Sequence, residues 1–387
     1  MSSSKLKINL HIFLFTISRT LINGSLRIAF PFLPVFARGL GVEPASLAMA
    51  FSIRALVGAF GPFLSTLADT YNRKMGILLG VGLFTVGTGI VGFWPALWSF
   101  IVGTSLVVLG NNVFLSSANA YLGDHVPYEK RGRVLSITET SWALAFILVV
   151  PVVRFLIESY SWVTPFYFFA AVGVLFFVIL FWQLPINHIP KSKENTLWKN
   201  LGRVFRTWPA LAGLLMGLSF TMANEMVNLI FGVWIEDQFG VNFAALAAAS
   251  VVIGVSELGG EVSSGILMDA VGKRRIIWLF LGLNSLAAIL LPVTHASLLW
   301  AMVGLGFFYV TFEIVLVSAL TLMTEVLPAA RATILALTVA GFSLGRMMGD
   351  LIAPGLYGIN FWSNVLATVM LNIVAAGLLT QVRVRDR

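Results

Sequence analysis

The sequence is a succession of apolar runs, most of them near the ~20 residues that an α-helix needs to cross ~30 Å of hydrocarbon, interrupted by short clusters of lysine and arginine. Only a structure that satisfies its own backbone hydrogen bonds survives in hydrocarbon, and a continuous helix does so. Cutting at charges, prolines and glycines gives spans near 9–37, 45–68, 76–95, 97–122, 134–158, 163–184, 208–235, 243–268, 276–294, 297–324, 332–357 and 361–381. The expectation is an all-α membrane protein of twelve transmembrane helices. Composition agrees, since hydrophobic residues make up 58% of the chain and charged residues 11%. A soluble domain is nearer a quarter charged and needs those charges to cover its surface. The first run is too long for a signal-peptide core, carries Arg19 and Arg27, and shows no cleavage site, so it reads as a helix.

The placement of charge sets an orientation. Nineteen of the 25 Lys and Arg residues fall on one side if both termini are cytoplasmic. They are Lys5 and Lys7, Arg73 and Lys74, the group Lys130 to Arg133, the group Lys191 to Arg206, Lys273 to Arg275, Arg331, and Arg383 to Arg387. Of the other six, only Arg38 lies in an external loop. The net charge of +8 is therefore a topology signal and not a nucleic-acid footprint. The expected location is the plasma (inner) membrane. The one sizeable polar stretch, 185–207, divides the spans into bundles at 1–184 and 208–387, with its bases near anionic headgroups.

The two halves echo each other. Ser65, Asp69, Asn72, Arg73 and Lys74 follow span 2, and Gly265, Asp269, Gly272, Lys273 and Arg274 follow span 8, with the aspartates 200 residues apart. Asp124, Pro127 and Arg131 follow span 4, and Glu325, Pro328 and Arg331 follow span 10, with the acids 201 apart. Parallel repeats of this kind are a transporter architecture, in which the halves meet at the substrate cavity.

The run Gly-x-x-x-Asp-x-x-Gly-Lys-Arg at 265–274 resembles the signature of the major facilitator superfamily. The first copy departs from it at Ser65 and Asn72. The resemblance implies two six-helix bundles and alternating access. It also implies that Asp69 and Asp269 close the cytoplasmic side, latching near the starts of spans 11 and 5. The rival reading makes Ser65, Asp69, Arg73, Lys74, Gly265, Asp269, Gly272, Lys273 and Arg274 turn formers and topology charges. Many drug/proton antiporters of this family carry an arginine in span 4 and a Gly-Pro motif in span 5. Span 4 here reads Leu106 to Val113 with no arginine, and Pro151 in span 5 lacks a preceding glycine-rich stretch.

Ionisable residues at bilayer depth are costly and so are functional candidates. Arg19 lies about 18 Å past Lys7 along the helix, with Asn23 and Arg27 at four-residue spacing on the same face. Arg54 lies in the outer half of span 2, and Glu139 in the inner third of span 5 can pair with either arginine. In the second half, Glu225 lies mid-span in span 7, and Glu257 and Glu313 lie near the midplane of spans 8 and 10. Glu261 is one turn below Glu257. Arg346 and Asp350 are spaced as a self-neutralising pair on span 11, beside Gly341, Gly345 and Gly349, which read as close-packing positions. An acid at that depth can carry a proton, so Glu225, Glu257 and Glu313 are candidates for proton coupling. Arg19 and Arg54 then hold an anionic or polar solute, unless each is matched by an acid.

Other chemistries lack their residues. The chain has no cysteine and no phosphate loop, and its four histidines are scattered, so neither ATP, thiol nor metal chemistry is suggested. No nucleophile constellation supports an intramembrane enzyme, and the short tails argue against a sensor. The expectation is a secondary-active transporter of a small organic or amphipathic solute, coupled to the proton gradient without a cofactor and working as a monomer in the lipid bilayer. Efflux is the reading, from a loose likeness to the sugar- and drug-efflux branches. Uptake or facilitated diffusion of a polar or anionic nutrient, and lipid or lysolipid translocation, are the alternatives.

Overall fold

The computed structural model describes residues 2–61, 72–185, 197–240, 243–327 and 330–382. All of its regular structure is helical: α1 (Ser2–Arg27), α2 (Leu33–Leu40), α3 (Pro44–Ala59), α4 (Arg73–Phe93), α5 (Leu97–His125), α6 (Tyr128–Glu139), α7 (Ser141–Leu144), α8 (Val150–Ser159), α9 (Thr164–Gln183), α10 (Leu197–Phe205), α11 (Trp208–Asn228), α12 (Phe231–Phe239), α13 (Phe243–Val271), α14 (Lys273–Leu290), α15 (Leu298–Val326), α16 (Arg331–Ile359) and α17 (Phe361–Leu379).

Among the described residues, 10 helical stretches are long and apolar enough to cross a membrane, or 11 if the bent pair α2 and α3 counts as one. Span 1 of the sequence corresponds to α1 and α2, and span 2 begins with α3. The continuation of span 2 lies outside the described residues, as do Ser65, Asp69, Pro328 and residues 186–196 of the polar stretch. Within α1, His11, Arg19 and Asn23 dilute its apolar character.

Span 1 differs from the sequence reading, which carries one helix from 9 to 37. The helix stops at Arg27 and restarts at Leu33. Pro31 supplies no backbone donor and Pro34 fits only the first turn of a new helix. Gly41 closes α2 at φ 67, a conformation that favours glycine.

Span 5 is also irregular. A π-helical turn at Ala145–Val149 separates α7 from α8, and the Val150 amide bonds to the Ala145 carbonyl. Pro151 follows at once; it has no N–H and its ring crowds the carbonyl four residues back, which the wider turn accommodates.

The helices pack as two compact units, Met1–Glu43 with Phe60–Ser192, and Pro44–Ala59 with Lys193–Arg387. In the first unit, α4 and α5 approach through facing glycines. A Cβ on Gly80 would lie 2.7 Å from the Gly110 carbonyl oxygen, and one on Gly103 2.4 Å from that of Gly87. In the second unit, Phe220, Phe312 and Phe342 centre the apolar core. Trp182, Ile266 and Leu299 stand exposed, as large apolar side chains do when lipid is the solvent.

Candidate functional site

Buried charge gathers at two places in the second unit and one in the first. In the second unit, close packing of α11 on α16 creates the setting. A Cβ on Gly345 would fall 2.3 Å from the Leu218 carbonyl oxygen, and one on Gly349 2.5 Å from the Glu225 Cβ. These small positions bring Arg346 and Asp350, their neighbours in sequence, against the turn of α11 that carries Glu225.

Glu225 is held on both oxygens. Asn228, one turn along α11, donates from Nδ2 to Oε2 at 2.7 Å, and the Tyr309 hydroxyl on α15 donates to Asn228 Oδ1 at 2.6 Å. The Arg346 Nε stands 3.6 Å from Oε1 of Glu225. All three of Glu225, Asn228 and Tyr309 are buried, so the chain from hydroxyl to amide to carboxylate is fully desolvated. The Arg346 side chain keeps 33% exposure against 2% for Glu225, so the pair joins a buried carboxylate to a partly exposed side chain.

Arg54 of α3 completes the group. Its guanidinium lies 4.7 Å from the centre of the Phe51 ring and in the field of Asp350 and Glu225. Asp350 is 2% exposed, and its Oδ1 has no hydrogen-bond partner among the described residues. Pro354, four residues on, removes the amide that would otherwise bond the Asp350 carbonyl. Two cations thus face two carboxylates, and the group is neutral when all four are ionised.

Also in the second unit, Gly260 lets α13 meet α15, since a Cβ there would lie 2.8 Å from the Glu313 Cβ. Glu313 therefore sits against the stretch of α13 that carries Glu257 and Glu261. Glu257 and Glu313 are buried and Glu261 is half-buried.

In the first unit, the polar stripe of α1 is satisfied by the irregular part of span 5. Arg19 Nη2 donates to Glu139 Oε2 at 2.6 Å and Nη1 to the Thr138 carbonyl at 3.1 Å. Asn23 Nδ2 reaches Ser141 Oγ at 3.4 Å, while its own Oδ1 has no partner among the described residues. Arg27 donates to the Trp142 carbonyl at 3.1 Å and lies 3.6 Å from the centre of the Phe146 ring. Of the two partners open to Glu139, the structure supplies Arg19. With Arg19, Arg54 and Arg346 each facing an acid, the expectation of an anionic solute drawn from the arginines loses its support.

The motifs after spans 2 and 8 make matching contacts inside their own units. Arg73 pairs with Asp124 at 3.4 Å, and Lys273 pairs with Glu325. Lys74 donates to the Phe181 carbonyl at 2.6 Å near the end of α9, and Arg274 to the Leu379 and Thr380 carbonyls at the end of α17. In each half the first base ties loop to span 4 or 10, and the second holds carbonyl oxygens left over at a helix C-terminus. Asp269 and Gly265 are exposed, and Gly272 takes φ 92 before α14.

Asn228 and Tyr309 are the residues that sequence reasoning passed over. Asn228 stands three residues from Glu225 and Tyr309 four before Glu313, so helical spacing from an intramembrane acid is the signal that finds them. No group of three or more His, Cys, Asp or Glu among the described residues is arranged to hold a metal ion.

Comparison with known proteins adds a family. The profile of the Major Facilitator Superfamily matches residues 12–382. The chain is 26% identical over 273 residues to the uncharacterised MFS-type transporter YwfA of Bacillus subtilis, covering 69% of this chain and 66% of that protein. It is 28% identical over 343 residues to the multidrug resistance protein MdtG of Proteus mirabilis, covering 83% of this chain and 82% of MdtG. Among solved structures, a D-xylose-proton symporter superposes with a TM-score of 0.74 at 16% identity, over 94% of this chain and 96% of the symporter. A bacterial homologue of the lysosomal transporter Spinster, inward-facing and unoccupied, gives 0.70 at 15% identity, over 97% of this chain and 95% of that one. The structural likenesses establish the fold.

Proposed function

We propose that this chain, which belongs to the major facilitator superfamily, exports a small organic or amphipathic solute in exchange for protons by alternating access. The observation that carries the reading is the buried Glu225, tied by Asn228 and Tyr309 and paired with the partly exposed Arg346. An ionised acid at that depth is stable only with its partner. Protonating Glu225 cancels its attraction for Arg346 and releases the guanidinium; losing the proton draws it back. Proton occupancy and the arrangement of α11 against α16 are thereby linked, and a cationic or polar solute that engages the Glu225 carboxylate competes with the proton for the same group. Glu257 and Glu313 form the second candidate route for protons in the same unit. The 28% identity to MdtG favours export over uptake.

The remaining expectations belong to the same reading. They are two bundles at 1–184 and 208–387 joined by a cytoplasmic linker, both termini cytoplasmic, the inner membrane as location, and the monomer as working unit. Asp269 and the undescribed Asp69 serve as cytoplasmic gate residues.

The test is solute-induced pH change inside proteoliposomes, screened with cationic and neutral amphiphiles. The proposal expects each transported solute to release protons from the side it enters, and Glu225→Gln to abolish that signal while leaving downhill solute exchange. Proton flux that persists in Glu225→Gln at the wild-type rate contradicts coupling through this residue.

A further inference from the structure

The two repeats make the same contacts with their first two bases and part company at the third. Position 75 is a methionine, 60% exposed, and its counterpart 200 residues on is Arg275. Leu78 is buried, and its counterpart Trp278 is 60% exposed. Lys273 is engaged by Glu325, and Arg274 is spread over two terminal carbonyls of α17 at 3.3 and 3.4 Å. Arg275 is exposed and makes no hydrogen bond or ion pair among the described residues. The scaffold therefore uses two bases in each half, and the second half carries one more.

That extra base lines a cleft. A hollow of about 360 Å³ is bounded by Arg274, Arg275, Trp278, Leu379 and Thr380. Its lining combines two guanidiniums and an indole from the first turns of α14 with a leucine and a threonine at the end of α17. Guanidiniums bind phosphate through paired N–H donors, and indoles settle at the level of lipid headgroups. A charge placed only for topology needs neither an adjoining indole nor a hollow. Arg383, Arg385 and Arg387 follow in sequence within eight residues of Thr380.

We propose that this cleft seats the phosphate of an anionic phospholipid from the cytoplasmic leaflet. Arg275 and Arg274 meet the headgroup, and Trp278 packs along the glycerol and upper acyl chain. The leaflet follows from the orientation proposed above; the site itself is independent of any transport step. A bound lipid there bridges the start of α14 and the end of α17, which Arg274 already joins.

The experiment is native mass spectrometry of the purified full chain in detergent with equal phosphatidylglycerol and phosphatidylcholine. It compares wild type with Arg275→Met, which copies the first repeat, and with Trp278→Leu. Wild type is expected to retain phosphatidylglycerol in preference to phosphatidylcholine. Arg275→Met is expected to lose about five-fold in that preference, the usual worth of one base beside an anionic surface. Trp278→Leu weakens retention of both lipids, and excess inorganic phosphate displaces neither. Equal preference in wild type and Arg275→Met overturns the proposal. Displacement of the lipid by inorganic phosphate alone reassigns the cleft to a soluble anion and equally overturns it. Because the readout needs no solute flux, its failure is distinguishable from failure of the proton-coupled reading.

Discussion

Glu225 illustrates how one buried charge fixes the residues around it. Its carboxylate accepts from Asn228, which in turn accepts from Tyr309, so each side chain has one role that its neighbour determines. Removing the hydroxyl in Tyr309→Phe leaves Asn228 Oδ1 buried without its donor, at a cost of about 1–3 kcal/mol. The expected result is a lower thermal unfolding midpoint in detergent, with the pH profile of transport displaced because Asn228 can then turn away from Glu225. An unchanged midpoint and an unchanged profile together would show the chain to be incidental. Arg19 is a contrasting case. It satisfies Glu139 and a carbonyl of span 5, so Arg19→Ala should destabilise the first unit while Arg19→Lys restores part of the stability. A loss of solute affinity with no loss of stability would instead return Arg19 to a solute-binding role.

At the scale of helices, glycines decide which charges meet. Gly349 allows α16 to approach the Glu225 turn of α11, whereas Gly355 on the same helix has no atom within 4 Å of a built Cβ. Gly349→Ala should therefore cost about 1–3 kcal/mol through forced separation and suppress proton coupling. Gly355→Ala should be neutral or slightly stabilising, and circular-dichroism melts of the two variants side by side make the comparison. Equal melts would remove close approach as the organising cause. The spans were legible from hydropathy, and the acids from their depth. The partners were not, because periodicity gives the face of a helix and not the helix it faces. Arg54 shows this: it lies on span 2 of the sequence, yet α3 groups with the second unit, where Asp350 and Glu225 act on it. The break after Arg27 had its signal in Pro31 and Pro34. The π-turn of span 5 had one in Pro151, which the sequence reading treated only as a missing motif.

For the whole molecule, the duplicated pattern of bases was visible as a 200-residue offset, and the structure gives it physical content in Arg73 with Asp124 and Lys273 with Glu325. The absence of cysteine makes the orientation easy to probe. Arg38→Cys should react with a membrane-impermeant maleimide added outside cells, and Lys193→Cys only after permeabilisation; the reverse pattern would invert the topology. The central claim is that a proton on Glu225 and the solute exclude one another. It is tested most directly by imposing a pH gradient across proteoliposomes and following the solute to its steady state. Wild type is predicted to build a solute gradient that reverses sign when the pH gradient is reversed, and Glu225→Gln only to equalise the solute. A Glu225→Gln protein that still concentrates solute against its gradient would contradict the account.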